Sequence, residues 1–278
     1  MLTFAETYTD MLKEILLIDT ETNNRTGVGV RTILGGESFW IDLCQGILPT
    51  IGLRRTYPRS AAAEVAWYLL GDRKIDFISK YAPFWDKFTD TDESGETIVK
   101  SAYGYRWRRH FGRDQLQLAI DTLKKDPTNR RVLVSAWDPR EDGLGAEGQK
   151  NVPCPAFFTL NITRGELHSS LFLRSSDLVV GLPYDVMGHA LLMAAIAAEL
   201  RLPLGIMHVT MADAHVYECH MPIVRDMLKN KPICPTIEMP RWSISVIETN
   251  PNIYVKMLGD YAKTFEWPEY TAQPEIIV

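Results

Sequence analysis

The sequence predicts a mixed α/β (α+β) protein folded as one domain over residues 1–278. Three observations carry this. The 278 residues are 46% hydrophobic and 23% charged, the balance of an ordinary globular chain with a sizeable core. Segments of helical period alternate with β-branched segments. No internal repeat, low-complexity tract or Gly/Ser linker divides them.

Taken in order, Thr3 to Leu17 places Phe4, Tyr8, Met11, Leu12 and Ile15 near helical spacing, with Thr3 as cap. Asn23, Asn24, Gly27 and Gly29 mark a loop, and the residues after it suggest strands. Ser60 to Leu70 is a strong helix pattern, with Ser60 as N-cap and Gly71 as C-cap. The acidic run TDTDESGE reads as a surface loop. DQLQLAIDTLKK reads as a helix that stops before Pro127, and RRVLVSAW as a strand that points Arg130 and Arg131 to opposite faces. FFTLNITRGELHSSLFL reads as a hairpin about Thr163, Arg164 and Gly165. A buried, Ala-rich helix begins at Asp185, whose plain role would be its N-cap. IMHVTMADAHVYECHMP reads as alternating strand positions, which puts His215 and Tyr217 on one face. The remainder, to the PEIIV end, reads as strand and tail.

The net charge of −5 argues against a chain that binds nucleic acid by general charge attraction. A small anionic substrate then needs a local arginine cluster. The four cysteines, Cys44, Cys154, Cys219 and Cys234, show no CxxC spacing, which disfavours a zinc site and a disulfide scaffold. A reducing cytoplasm is the natural compartment for them. The acidic N-terminus does not read as a signal peptide, and no run is long enough to span a membrane. A metal site at His208, His215 and His220 is weakened because a strand sets His220 opposite His215, so no metal is expected.

The chemistry concentrates between Asn151 and Asp185. Cys154 lies between Pro153 and Pro155, which fix their own φ and keep the thiol on a stiff, non-repetitive segment. A thiol attacks as thiolate, which a nearby cation favours, and Arg174 is the candidate if the chain folds back. The plainer reading makes Cys154 a small buried hydrophobe. Glu64 sits on the apolar stretch AAAEVAWYLL. Burial there raises a carboxyl toward the range useful for acid–base catalysis, unless a salt bridge explains it.

PCPAFF, RSSD and GLPYD resemble, in order and spacing, the active-site segments of the thymidylate synthase family. RTGVG resembles its N-terminal phosphate loop, EVAWYLLGD its glutamate-bearing helix, YGYRWR its YGxxWR segment and DAHVYECH its sugar-binding segment. The resemblance implies a large, twisted mixed sheet flanked by helices, and a sheet-to-sheet homodimer. It implies Cys154 as nucleophile, Glu64 as general acid and base, and Tyr103 near the thiol. Arg25, Arg174, Ser175 and Ser176, with Arg130 and Arg131 reaching in from a partner subunit, would hold a nucleotide phosphate. His215 and Tyr217 would hold the sugar. Trp85, Asp177, Gly181 and the terminal Val278 would border 5,10-methylenetetrahydrofolate.

Where the family carries an asparagine after GLP and an aromatic residue, this chain has Asp185. That resembles the deoxycytidylate hydroxymethylase branch, known from bacteriophages. An amide offers donor and acceptor and suits uracil; a carboxylate only accepts and suits the cytosine amino group. Pro155 and Leu173 also depart from the family's usual His and Gln. A dCMP methylase, a thymidylate synthase or dUMP hydroxymethylase, and a non-catalytic nucleotide-binding relative stay open.

Overall fold

The first helix, α1 (Phe4–Ile15), starts where the sequence indicates. The Thr3 hydroxyl accepts from the Glu6 amide while the Glu6 carboxylate accepts from the Thr3 amide, a reciprocal capping box. The computed structural model describes residues 3–22, 27–145, 150–233, 235–265 and 267. Strands β1 (Val30–Ile33) and β2 (Glu37–Asp42) follow, then α2 (Pro58–Leu70). Next come the short strands β3 (Asp90–Thr91) and β4 (Thr97–Ile98), the helical turn α3 (Tyr103–Tyr105) and α4 (Gln115–Lys125). The centre holds β5 (Leu133–Ser135), β6 (Pro155–Thr163), β7 (Glu166–Leu173), β8 (Ser176–Asp177) and α5 (Leu182–Leu200). Strands β9 (Leu204–Met211) and β10 (Ala214–Tyr217) precede α6 (Met221–Met227), α7 (Ile244–Thr249) and α8 (Pro251–Lys263).

A mixed five-stranded sheet runs in the order β2-β9-β7-β6-β5, with β7 and β9 parallel and its other pairs antiparallel. A three-stranded sheet runs β1-β10-β8, with β8 and β10 parallel. The architecture is the mixed one expected, twisted sheets flanked by helices. The β6–β7 turn is made by Arg164 and Gly165 at φ 54° and 80°, the pair of positive φ values that a two-residue hairpin loop needs. Burial alternates along β7 and β9, so one face of the large sheet is core. Helix α5 packs there, buried on nearly every side against α2, α4, β7 and β9, and its Ala, Leu and Met composition suits that position. No described helix is long and apolar enough to cross a membrane.

Several expectations are corrected. Helix α2 starts at Pro58, whose fixed φ suits the first turn, so Ser60 is inside the helix and donates its hydroxyl to the Tyr81 carbonyl. Gly71 does end it, in the left-handed conformation. The acidic run is a small β3–β4 hairpin, steadied by Arg73–Asp92 and Lys74–Glu96 pairs. Strand β5 begins only at Leu133; Arg130 and Arg131 precede it in a turn held by the Arg131 amide on the Asn129 side chain, so the opposite-face argument does not apply. The expected single strand over 206–217 breaks at Ala212 and Asp213 into β9 and β10, on different sheets. His208 therefore stacks on Trp40 of β2, and His220 sits in a 3-10 turn after β10. The described elements after β10 are helical, not strand: Pro222 and Pro251 occupy first turns, and Tyr254, Val255 and Leu258 give α8 an apolar face against α2.

Candidate active site

Helix α2 carries Glu64 into the core, 7% exposed. Its two oxygens have separate donors: Trp85 Nε1 to Oε1 and the Tyr68 hydroxyl to Oε2, each at 3.2 Å. Among the described residues no cation balances it. Burial, with the Asp185 carboxylate adding to it, pushes Glu64 up to about 8. Trp85 lies on the 3-10 segment Pro83–Phe88, with its ring edge-on to Trp67 and Tyr103. Tyr103 opens α3 and is buried; burial and the nearby Cys154, Asp185 and Glu64 hold its phenol well above the usual range.

Cys154 sits immediately before β6. Pro155 takes the strand's first position, where no ladder amide is lost, and the register slips between Pro155 and Phe157. Across from it, β7 ends and Arg174 folds back as expected. The Arg174 amide donates to the Cys154 carbonyl at 2.9 Å. Its Nε and one Nη donate to the carbonyls of Pro153 and Val152 at 2.9 and 3.0 Å, and its guanidinium lies over the Trp137 ring. The arginine thus staples the cysteine segment in place. It does not make the resting sulfur a thiolate. Burial, then the charges of Asp185, Asp177 and Asp213, outweigh Arg174 and push Cys154 up to about 11. Cys154 and Asp185 both keep some accessible surface although protein surrounds them on most sides, the setting of a recess floor.

Asp185 is not a cap. Helix α5 begins three residues earlier, at Leu182, with Pro183 in its first turn and Gly181 before it. Among the described residues no hydrogen bond or ion pair satisfies the Asp185 carboxyl, and burial alone pushes it up to about 7. Gly181 lies beside it: a Cβ there would stand in ordinary contact, 3.7 Å from Asp185 Oδ2.

Strand β8 holds Ser176 and Asp177 alongside β10, with Asp177 opposite His215. Asp177 Oδ1 accepts the Val179 and Val180 amides at 2.8 and 3.1 Å, which shapes the loop into α5. Its Oδ2 lies 3.8 Å from His220 Nδ1. Ser175 is half-buried, and the buried Ser176 Oγ has no partner among the described residues. His215 and Tyr217 do share a face, ring centroids 5.2 Å apart, and His215 Nδ1 is 2.9 Å from Asp213 Oδ1. Arg130 and Arg131 are exposed and stand outside this cluster; Arg131 lines a hollow of about 410 Å³ with Arg113, Leu133 and Trp137. Arg25 and Val278 lie outside the described residues.

Two side chains escaped the sequence reading. Arg54 is fully buried and donates to the Val179 carbonyl at 2.7 Å, while the Tyr8 hydroxyl donates to the Leu178 carbonyl at 2.8 Å. Together they pin the loop between β8 and α5, through contacts too distant in sequence to foresee. Tyr68 follows Glu64 by four residues, one helical turn, and that spacing was legible.

His208 and His215, two members of the rival histidine trio, lie on strands of different sheets. The one close group of possible ligands among the described residues is His110, Asp138 and Glu141, and the buried Arg106 guanidinium already pairs with all three.

A half-buried thiol, two carboxyls with raised pKa values and an indole thus converge from the start of β6, from α2 and α5, and from the 3-10 segment. The family model described as thymidylate synthase matches residues 6–277. With that match over nearly the whole chain and this fold beneath it, the chain belongs to the thymidylate synthase family.

Proposed function

We propose that the protein hydroxymethylates C5 of dCMP, with 5,10-methylenetetrahydrofolate as co-substrate. At the coarser level, its family makes it a one-carbon transferase that acts on a pyrimidine nucleotide with a folate. The finer reading is carried by one observation: the Asp185 carboxyl, pushed up to about 7, stands beside Cys154 without a hydrogen-bond or ion-pair partner among the described residues. Such a group suits cytosine. It accepts from the 4-amino group and, near its pKa, shares a proton with N3. Against uracil O4 the ionised group leaves acceptor facing acceptor, a mismatch of about 1–3 kcal/mol, or roughly ten- to several-hundred-fold.

The same contact helps the sulfur. After burial, Asp185 is the largest influence holding Cys154 protonated. A cytosine that shares the Asp185 proton or covers its charge removes that opposition. Cys154 Sγ then bonds to C6, the C5=C6 electron pair moves to C5, and the proton held at N3 stabilises the displaced charge. When bound, 5,10-methylenetetrahydrofolate supplies the one-carbon unit that becomes attached to C5. The residues present fit such a ligand: Trp85 gives an aromatic wall, and Asp177 Oδ2, 3.8 Å from His220 Nδ1, would accept a ring N–H. Loss of the C5 proton, with breakage of the bond between the one-carbon unit and the folate nitrogen, which keeps the electron pair and takes a proton, leaves an exocyclic methylene on the ring. Water adds its oxygen there, gives its proton to a base for which Glu64 is placed, and the returning electron pair restores C5=C6 and expels the Cys154 sulfur.

A second reading keeps dCMP but ends in methyl, with the folate oxidised to dihydrofolate. The buried Trp85, held on Glu64, favours it by shielding the methylene from water. For the main reading, turnover of dCMP and dUMP is compared in wild type and Asp185→Asn. The wild type is expected to prefer dCMP and the variant to move toward dUMP by tenfold or more. An unchanged ratio would show that Asp185 does not read the base.

A further inference from the structure

We propose that Tyr68 is a positioning residue that fixes the Glu64 carboxyl and favours its ionised form, so that Glu64 can take the proton of the attacking water. The inference rests on the reading of Glu64 as the group that handles protons in the recess. Tyr68 lies one turn after Glu64 on α2, and its hydroxyl donates to Oε2 at 3.2 Å. Its ring is buried and packs against Trp67, Tyr103 and Trp107. For that packing a phenylalanine would serve as well. The hydroxyl is a buried polar group in an aromatic cluster, and such a group costs stability unless it is bonded.

The groups facing Glu64 are few. Tyr68 comes from its own helix, Trp85 from the 3-10 segment and Asp185 from α5; Tyr103 from α3 and Tyr184 from α5 feel its charge. Among the described residues no cation faces it. Burial and Asp185 oppose the carboxylate, and the two donors are what favours it. Because they grip different oxygens from different elements, they also fix the plane of the carboxyl. Without the Tyr68 hydroxyl, Oε2 loses its donor, the ionised form becomes rarer and the group is free to turn. A water adding to the methylene then finds a poorer base.

The test is a titration of Glu64 in the free, full-length protein, read as its carboxyl C=O stretch in difference infrared spectra and assigned with Glu64→Gln. In Tyr68→Phe the midpoint is expected to rise by roughly one to two pH units, the worth of one hydrogen bond to a charged group. With 3-fluorotyrosine at position 68, a more acidic donor, the midpoint is expected to fall. The acid limb of kcat/KM for dCMP should move in the same directions. A Glu64 midpoint that stays put in the fluorotyrosine protein, or that fails to rise in a folded Tyr68→Phe, overturns the proposal. Midpoints that move in a protein inert toward dCMP would instead leave the Tyr68–Glu64 link standing and remove the dCMP reading.

Discussion

At Glu64 and Asp185 the chain keeps two carboxyls where water does not reach them freely, and that has a signed consequence for stability. Both have folded values raised above their ordinary ones, to about 8 and about 7. The folded state therefore binds protons that the unfolded state has already released. The stability this gives is fully present below about pH 4 and is lost as pH rises through the folded values. Glu64→Gln removes the proton and the charge together. Its melting temperature, compared with wild type, is expected to gain steadily between about pH 5 and 8; a difference independent of pH would mean that Glu64 is not buried neutral. Arg174 teaches the complementary lesson. Sequence placed a cation by the cysteine and the structure agrees, but Asp185, Asp177 and Asp213 together with burial decide the sign. Only three-dimensional neighbours could tell which charge wins.

Between elements, the recess depends on how closely α3 approaches α2. Gly104 allows it: a Cβ there would lie 2.1 Å from the Tyr68 carbonyl oxygen and 2.2 Å from its Cα. Gly104→Ala must push α3 away and carry the adjacent Tyr103 with it. We expect a loss of about 3 kcal/mol or more by denaturant titration, with activity falling further than stability alone explains. A variant as stable as wild type would contradict the packing described. Much at this scale was legible. The Thr3 cap, the end of α2 at Gly71, the stop of α4 before Pro127 and the β6–β7 turn all follow from local rules. What was missed had non-local causes or a misread signal. Helix α2 starts at Pro58 rather than after a Ser60 cap, and α8 starts at Pro251 in a stretch read as strand. The kink at Ala212 and Asp213 sends one apparent strand into two sheets because β9 pairs with β2 and β7 while β10 pairs with β1 and β8. Asp185 looked like a cap because its helix starts one turn earlier, at the GLPY segment itself.

For the whole molecule, the large sheet has one face on the core and one open. Across the open face run Trp40, His208, Ser170, Thr159 and Leu133, and next to them the stacked pair Phe157 and Phe172. Trp40 is 56% and Leu133 48% exposed. Near this face Arg130 and Arg131 stand without a carboxylate partner among the described residues. We propose that two chains meet here and that these arginines complete the phosphate site of the neighbour. Mixing Cys154→Ser with Arg131→Ala, each inactive alone, should then restore about a quarter of wild-type activity through heterodimers with one intact site; no recovery would place each site within a single chain. The central claim is that a buried aspartate admits cytosine and that water then ends the reaction. It is tested most directly by mass spectrometry of the nucleotides formed from an equimolar mixture of dCMP and dUMP with 5,10-methylenetetrahydrofolate. The account predicts that dCMP gains the elements of formaldehyde while dUMP stays unchanged; methylated dUMP as the main product would contradict it.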